Sequence, residues 1–141
     1  MTPHRKLDVV QDSVKRLLRM GATANLANLM QKQHPADLAQ VLKELVDRDR
    51  SAAFNVLVDR NRRLGMEALS ELGPETGAHL LADRPAEEIA TLLQELESDD
   101  AAAIVDYLPE ELSGAVLELI TRKEGGEVEA PGLRAFLEER L

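Results

Sequence analysis

Apolar residues recur along most of this 141-residue chain at helical spacing. Leu38, Val41, Leu42 and Leu45 fall at i, i+3, i+4 and i+7. Ile89, Leu92, Leu93 and Leu96 repeat that stripe, and Leu112, Val116 and Leu119 follow it closely. No stretch shows the sustained alternation of a strand. Punctuation agrees with a helical reading. Pro35, Pro74, Pro85 and Pro109 are expected in first turns, where a missing N–H costs nothing. Gly21 and Gly73 follow periodic runs, as C-terminal caps do. Ser98, just before Asp99-Asp100, is expected to cap the next helix, with both carboxylates near its positive end. The pattern predicts helices near 7–20, 24–32, 35–46, 50–58, 61–72, 74–83, 85–96, 99–108 and 109–122.

These segments repeat. The cores Leu42-Lys43-Glu44-Leu45, Leu69-Ser70-Glu71-Leu72 and Leu93-Gln94-Glu95-Leu96 recur, and Leu117-Glu118-Leu119-Ile120 echoes them; their starts lie 27, 24 and 24 residues apart. A period near 25 residues, split by a turn, holds only two brief helices. Each such unit has one apolar face that it cannot bury alone, so stacked neighbours build the core. The expected fold is all-α: a superhelix of short stacked helix pairs with a concave and a convex side, over residues 1–122. Gly125-Gly126 through Ala130-Pro131 reads as a linker. Leu133 to Leu141 reads as the start of a connecting helix, so that 123–141 form a separate segment.

Composition narrows the function. Aromatic residues make up 2% of the chain and the net charge is −9, which argues against nucleic-acid binding on both stacking and phosphate grounds. With no Cys there is no disulfide or thiolate metal site. No run approaches a membrane span and no apolar leader follows Met1, so the chain reads as soluble and cytoplasmic. The charge is unevenly placed. Residues 1–66 hold 12 Lys/Arg and 7 Asp/Glu, a balance of +5; residues 67–118 hold 14 Asp/Glu and one basic residue, Arg84, a balance of −13. An acidic half attracts cations or basic partners, although a solvated face explains carboxylates equally well.

Catalytic patterns are missing. No glycine loop opens a helix in a phosphate-binding pattern, and His4, His34 and His79 lack paired zinc spacing. The chain therefore reads as a binding or regulatory module, not an enzyme. His34, before Pro35, reads as a boundary imidazole at a helix entrance. Asp47-Arg48-Asp49-Arg50 begins like a calcium loop but lacks its glycine and closing glutamate, so it reads as a capping turn with local ion pairs. Arg60, Arg62 and Arg63 read as a solvated face, with an acidic partner as the alternative. The remaining candidates are Glu67, Asp99 and Asp100. Magnesium keeps most of its water and takes one or two surface carboxylates, which suits an acidic half; spacing alone makes Asp99 a plain helix N-terminal charge.

Several runs go further. Gly21-x4-Leu26-x2-Leu29-Met30, His34-Pro35-Ala36-Asp37-Leu38-Ala39 and Leu42-x-Glu44-Leu45 resemble the cytoplasmic N-terminal domain of MgtE-type magnesium transporters. So do Leu96-x2-Asp99-Asp100-Ala101-Ala102 and Tyr107-Leu108-Pro109-Glu110, and the match runs from about residue 7 to 120. The resemblance implies a right-handed superhelix joined to paired CBS domains and a membrane channel in a homodimer. It implies that cytoplasmic magnesium bridges acidic residues of this domain to acidic residues of the CBS domains and holds the channel closed. Glu67 and Asp99 match acidic positions facing that magnesium. The family can place a further acid one turn after the first aspartate; here that position is Ala103, and Asp100, about 100° around the helix, is a partial substitute. No CBS pattern or apolar membrane segment follows residue 120, so an excised domain is the expected status. The alternative is a stand-alone interaction scaffold like the helical stacks of the flagellar rotor switch protein.

Overall fold

The computed structural model describes residues 3–126, with side chains from 7 to 121. Among these residues the chain is all-α, as expected, with nine helices and no strand. In chain order they are α1 (Pro3–Met20), α2 (Thr23–Gln31), α3 (Pro35–Glu44), α4 (Asp47–Arg60), α5 (Arg62–Leu72), α6 (Pro74–Leu81), α7 (Ala86–Leu93), α8 (Ser98–Tyr107) and α9 (Glu110–Gly126). The predicted linker beyond Gly126 and the piece from Leu133 to Leu141 lie outside the described residues.

Two compact units emerge, one ending at Leu72 and the other beginning at Gly73. In the first, α1 packs on α2, α3 and α4, and α5 lies against both α3 and α4. Val10 and Val14 of α1, Leu26 and Met30 of α2, Leu38, Val41 and Leu42 of α3 and Leu57 of α4 form one buried cluster. In the second, α6 packs on α8 and α7 on α9. There Leu81, Ile89, Leu93, Ala101, Ala102 and Val116 are completely shielded from solvent. Helices two apart in sequence thus cover each other's apolar stripes, as the repeat requires. The repeated leucine cores sit at the ends of α3, α5 and α7, where Leu42, Leu69 and Leu93 are all buried.

Helix ends depart from expectation in instructive ways. Pro35 and Pro74 open α3 and α6, but Pro85 and Pro109 sit one residue earlier. Their carbonyls accept the first helical bonds, from Ile89 N–H at 3.1 Å and Ser113 N–H at 2.8 Å. A capping residue with extended ψ accepts proline as readily as the first helical position does, because neither needs an N–H. α7 stops at Leu93, three residues short of the predicted end. The next amides, of Gln94, Glu95 and Leu96, bond to carbonyls three residues back, tightening the last turn into 3₁₀ form. α4 begins earlier than its apolar pattern, at Asp47, with Asp47 and Asp49 in its first turn. Asn61 caps α5, its Oδ1 accepting Leu64 N–H at 3.1 Å.

Arg50 explains the charged turn between α3 and α4. Its guanidinium donates to the carbonyls of Leu42 (2.9 Å), Lys43 (3.1 Å) and Leu45 (2.7 Å) at the C-terminal end of α3, the first of which also accepts Leu45 N–H at 3.2 Å, and to Asp47 Oδ1 at 2.7 Å. One cation thus gathers three carbonyls at the negative end of a helix, two of which have no backbone donor. Close approach governs the α4–α5 crossing, where a Cβ at Gly65 would lie 2.8 Å from the Val58 backbone. Gly73, between α5 and α6, adopts φ 96° and ψ 160°, a region that only glycine occupies without strain.

Arg50→Ala is expected to destabilise the domain by about 2 kcal/mol, read as a lower urea midpoint, with Arg50→Lys recovering only part of the loss. Gly73→Ala should cost about 1–2 kcal/mol with an unchanged denaturant slope. Nothing lies within 4 Å of the added methyl, so the cost is backbone strain alone.

Candidate metal-binding carboxylates

Each candidate acid is held outward by the residues that hold its helix inward. In α8, Ala101, Ala102, Ile104 and Val105 are buried. That inward face leaves Asp99 and Asp100, in the first turn, exposed to solvent. Ser98 is not the cap: it is the first helical residue and makes no capping bond. The cap is Glu97, in extended conformation, whose carbonyl accepts Ala101 N–H at 3.0 Å. The early start follows from the dipole, since a helix tolerates three acidic side chains at its positive end without a hydroxyl cap. Asp99 Oδ1 also accepts the N–H of Asp100 at 3.0 Å.

The outcome is a tight acidic group. Carboxylate oxygens of Glu97, Asp99 and Asp100 lie within 4.8 Å of one another, all on exposed residues; among the described residues no other such set of three occurs. Asp100 joins Asp99 despite the angular offset on the helix, and Glu97, the extended residue that caps α8, completes the set. Glu97 was passed over in sequence reasoning. Its signal was the unbroken run Glu97-Ser98-Asp99-Asp100, obscured by assigning the cap to Ser98. Ala103, half-buried on the same helix, supplies no donor.

Glu67 lies in the other compact unit. Buried Met66, Ala68 and Leu69 turn it outward from the middle of α5, and Arg63 Nε stands 3.5 Å from its Oε1 one turn earlier. This exposed pair carries little energy and leaves the carboxylate accessible. The arginine trio does not form one patch: Arg60 reaches Asn28 Oδ1 at 3.5 Å while Arg63 faces Glu67. His34 caps α3 through its carbonyl, which accepts Leu38 N–H at 2.9 Å, and its imidazole makes no capping bond. His79 is exposed on α6, and the side chain of His4 lies outside the described residues.

Chemically, the α8 group is a set of hard oxygen donors with one side open to water. It matches a small divalent cation that retains part of its hydration shell. The helix N-terminus opposes that charge, so the group holds a cation loosely unless a second surface adds donors.

A repeat of short stacked helices with outward carboxylates defines a class of all-α domain, and comparison with known families places the chain within it. The model of the MgtE intracellular N domain matches residues 33–130, and the chain belongs to that family. The family's domain is a cytoplasmic part of a membrane transporter for magnesium. No curated protein matches the chain. Among the described residues, no helix is long and apolar enough to cross a membrane.

Asp99→Asn and Glu97→Gln are expected to leave unfolding free energy within about 0.5 kcal/mol of the parent, since both side chains are exposed and like-charge relief offsets the lost dipole interaction. Thermal or urea unfolding of the two variants checks this.

Proposed function

We propose that this domain senses cytoplasmic magnesium for a transporter of the MgtE family. Glu97, Asp99 and Asp100 at the start of α8, and separately Glu67 on α5, act as half-sites. Each offers one or two carboxylates to a partly hydrated magnesium ion, whose remaining partners are acidic residues of CBS domains in the same transporter. The observation that carries this reading is the convergence of three exposed carboxylates within 4.8 Å. It lies in a segment, 67–118, that holds 14 acidic residues and one basic one.

The physical logic is a charge switch. Two acidic surfaces repel when bare, and a divalent cation between them replaces repulsion with attraction. Because the domain's carboxylates are exposed and only loosely self-sufficient, occupancy depends on both surfaces and tracks free magnesium in the millimolar range, where weak hydrated sites operate. High magnesium then favours the docked, closed transporter; low magnesium releases it. The domain performs no catalysis in this scheme: its carboxylates bind and orient, and nothing covalent happens.

Manganese is a suitable probe because it prefers the same oxygen donors and broadens nearby NMR signals even at low occupancy. Substoichiometric manganese is expected to broaden the amides of residues 97–101 and those around Glu67, and millimolar magnesium to reverse the effect. In Asp99→Asn/Glu97→Gln protein the first set of signals should stay sharp while the second still broadens. Broadening scattered over all acidic residues alike, or confined to neither region, would sink the reading.

A further inference from the structure

The compact unit ending at Leu72 carries a groove of about 380 Å³ between α1 and α4, lined by Lys15, Leu18, Arg19, Arg48, Asp49 and Ala52. Its apolar lining comes from Leu18, which packs against the buried core, and from the exposed Ala52. Its rim is cationic. Lys15 and Arg19 stand one turn apart on α1 and so share a face. No ion-pair partner for either occurs among the described residues. Arg48 closes the far side, its side chain 89% exposed and spanned only loosely by Asp49 at 3.6 Å. Three cations against one carboxylate around an apolar lining select an occupant that is apolar in the middle and acidic at its edge.

The same chain presents that complement. Tyr107, the last residue of α8, is the only aromatic among the large exposed hydrophobics of the described residues, at 56% exposure. Asp106 precedes it, and Glu110 and Glu111 open α9 just beyond; all three are exposed. Leu108, 6% exposed, anchors the corner from below. An exposed aromatic ring with Glu110 and Glu111 three and four residues beyond it answers an apolar groove rimmed by guanidinium and ammonium groups, and the ring face adds cation–π attraction to Arg19 or Arg48. The charge totals point the same way, +5 over residues 1–66 and −13 over 67–118.

We infer that the α1–α4 groove is a docking site for the Tyr107 corner of a second copy of this chain. The contact joins two different surfaces, so association is head to tail, and each added copy still offers a free groove and a free corner. One aromatic in one groove buries far less than a standard stable interface, so the contact is weak and reversible. It is strong at low ionic strength, where the screening length is about 30 Å at 0.01 M, and fades near 1 M, where it is about 3 Å. The inference stands apart from the magnesium reading, because neither surface includes Glu67 or the Glu97 group.

Translational diffusion and amide shifts, followed from about 0.01 to about 1 mM chain at low salt, test it. Self-association is expected, with shifts at Lys15, Arg19 and Arg48 and at Tyr107 and Glu110. Association should weaken at least tenfold in Tyr107→Ala and in the triple variant Lys15→Glu/Arg19→Glu/Arg48→Glu. Mixing the two variants must restore a one-to-one complex, since one supplies the groove and the other the tyrosine corner; this also shows that both are folded. Monomeric diffusion at every concentration overturns the inference, as does association that both variants retain. Shifts at the groove produced by vesicles of anionic lipid, with diffusion of the free chain unchanged by concentration, overturn it too and assign the groove to phosphate headgroups.

Discussion

A helix of eight to eleven residues does not hold together alone in water, because nucleation costs more than its few hydrogen bonds return. Among the described residues six of the nine helices, α2, α3 and α5 to α8, fall in that range. Their survival depends on one constraint: each must lay its single apolar stripe against a helix two places away. That pairing sets the periodicity of the sequence and the short turns that reverse the chain. Consecutive helices must then approach closely as well, as at Gly65 against Val58, where no side chain fits between α4 and α5.

The same constraint frees the surface. Among the described residues the core holds no buried polar or charged side chain, so stability is carried by Leu, Ile, Val, Ala, Met and Phe. Carboxylates on the outward faces then carry little structural load. α8 shows the division within one turn: Ala101 and Ala102 vanish into the core while Glu97, Asp99 and Asp100 stand in water. A domain built this way can accumulate an acidic face without losing its fold, and that face is what the proposed ion-bridged contact would use. Arg50 marks the exception. It is a charge with a structural task, finishing α3 through three backbone carbonyls.

The all-α class, the helix order and most inward positions were legible in the chain alone, because the 3.6-residue stripe is a direct image of one-sided burial. Leu38, Val41 and Leu42, or Ile89, Leu92 and Leu93, announce their own orientation. The family was legible for a related reason: its recurring runs are the same stripes and turns in fixed register. Asp99, Asp100 and Glu67 were recognisable as outward acids on that basis.

The tertiary structure decided what periodicity does not encode. It placed Pro85 and Pro109 at caps, began α8 at Ser98 and so made Glu97 its cap and a third member of the acidic group. It turned the charged Asp47-to-Arg50 segment into the start of a helix whose arginine closes another. It also opened the groove between α1 and α4 from two stretches that lie far apart in the chain, Lys15–Arg19 and Arg48–Ala52. Linear order reports which face of a helix is apolar, since that follows from local geometry. It does not report where a helix end stops or which polar groups meet, since those depend on hydrogen bonds and chain reversals that only the packed molecule settles.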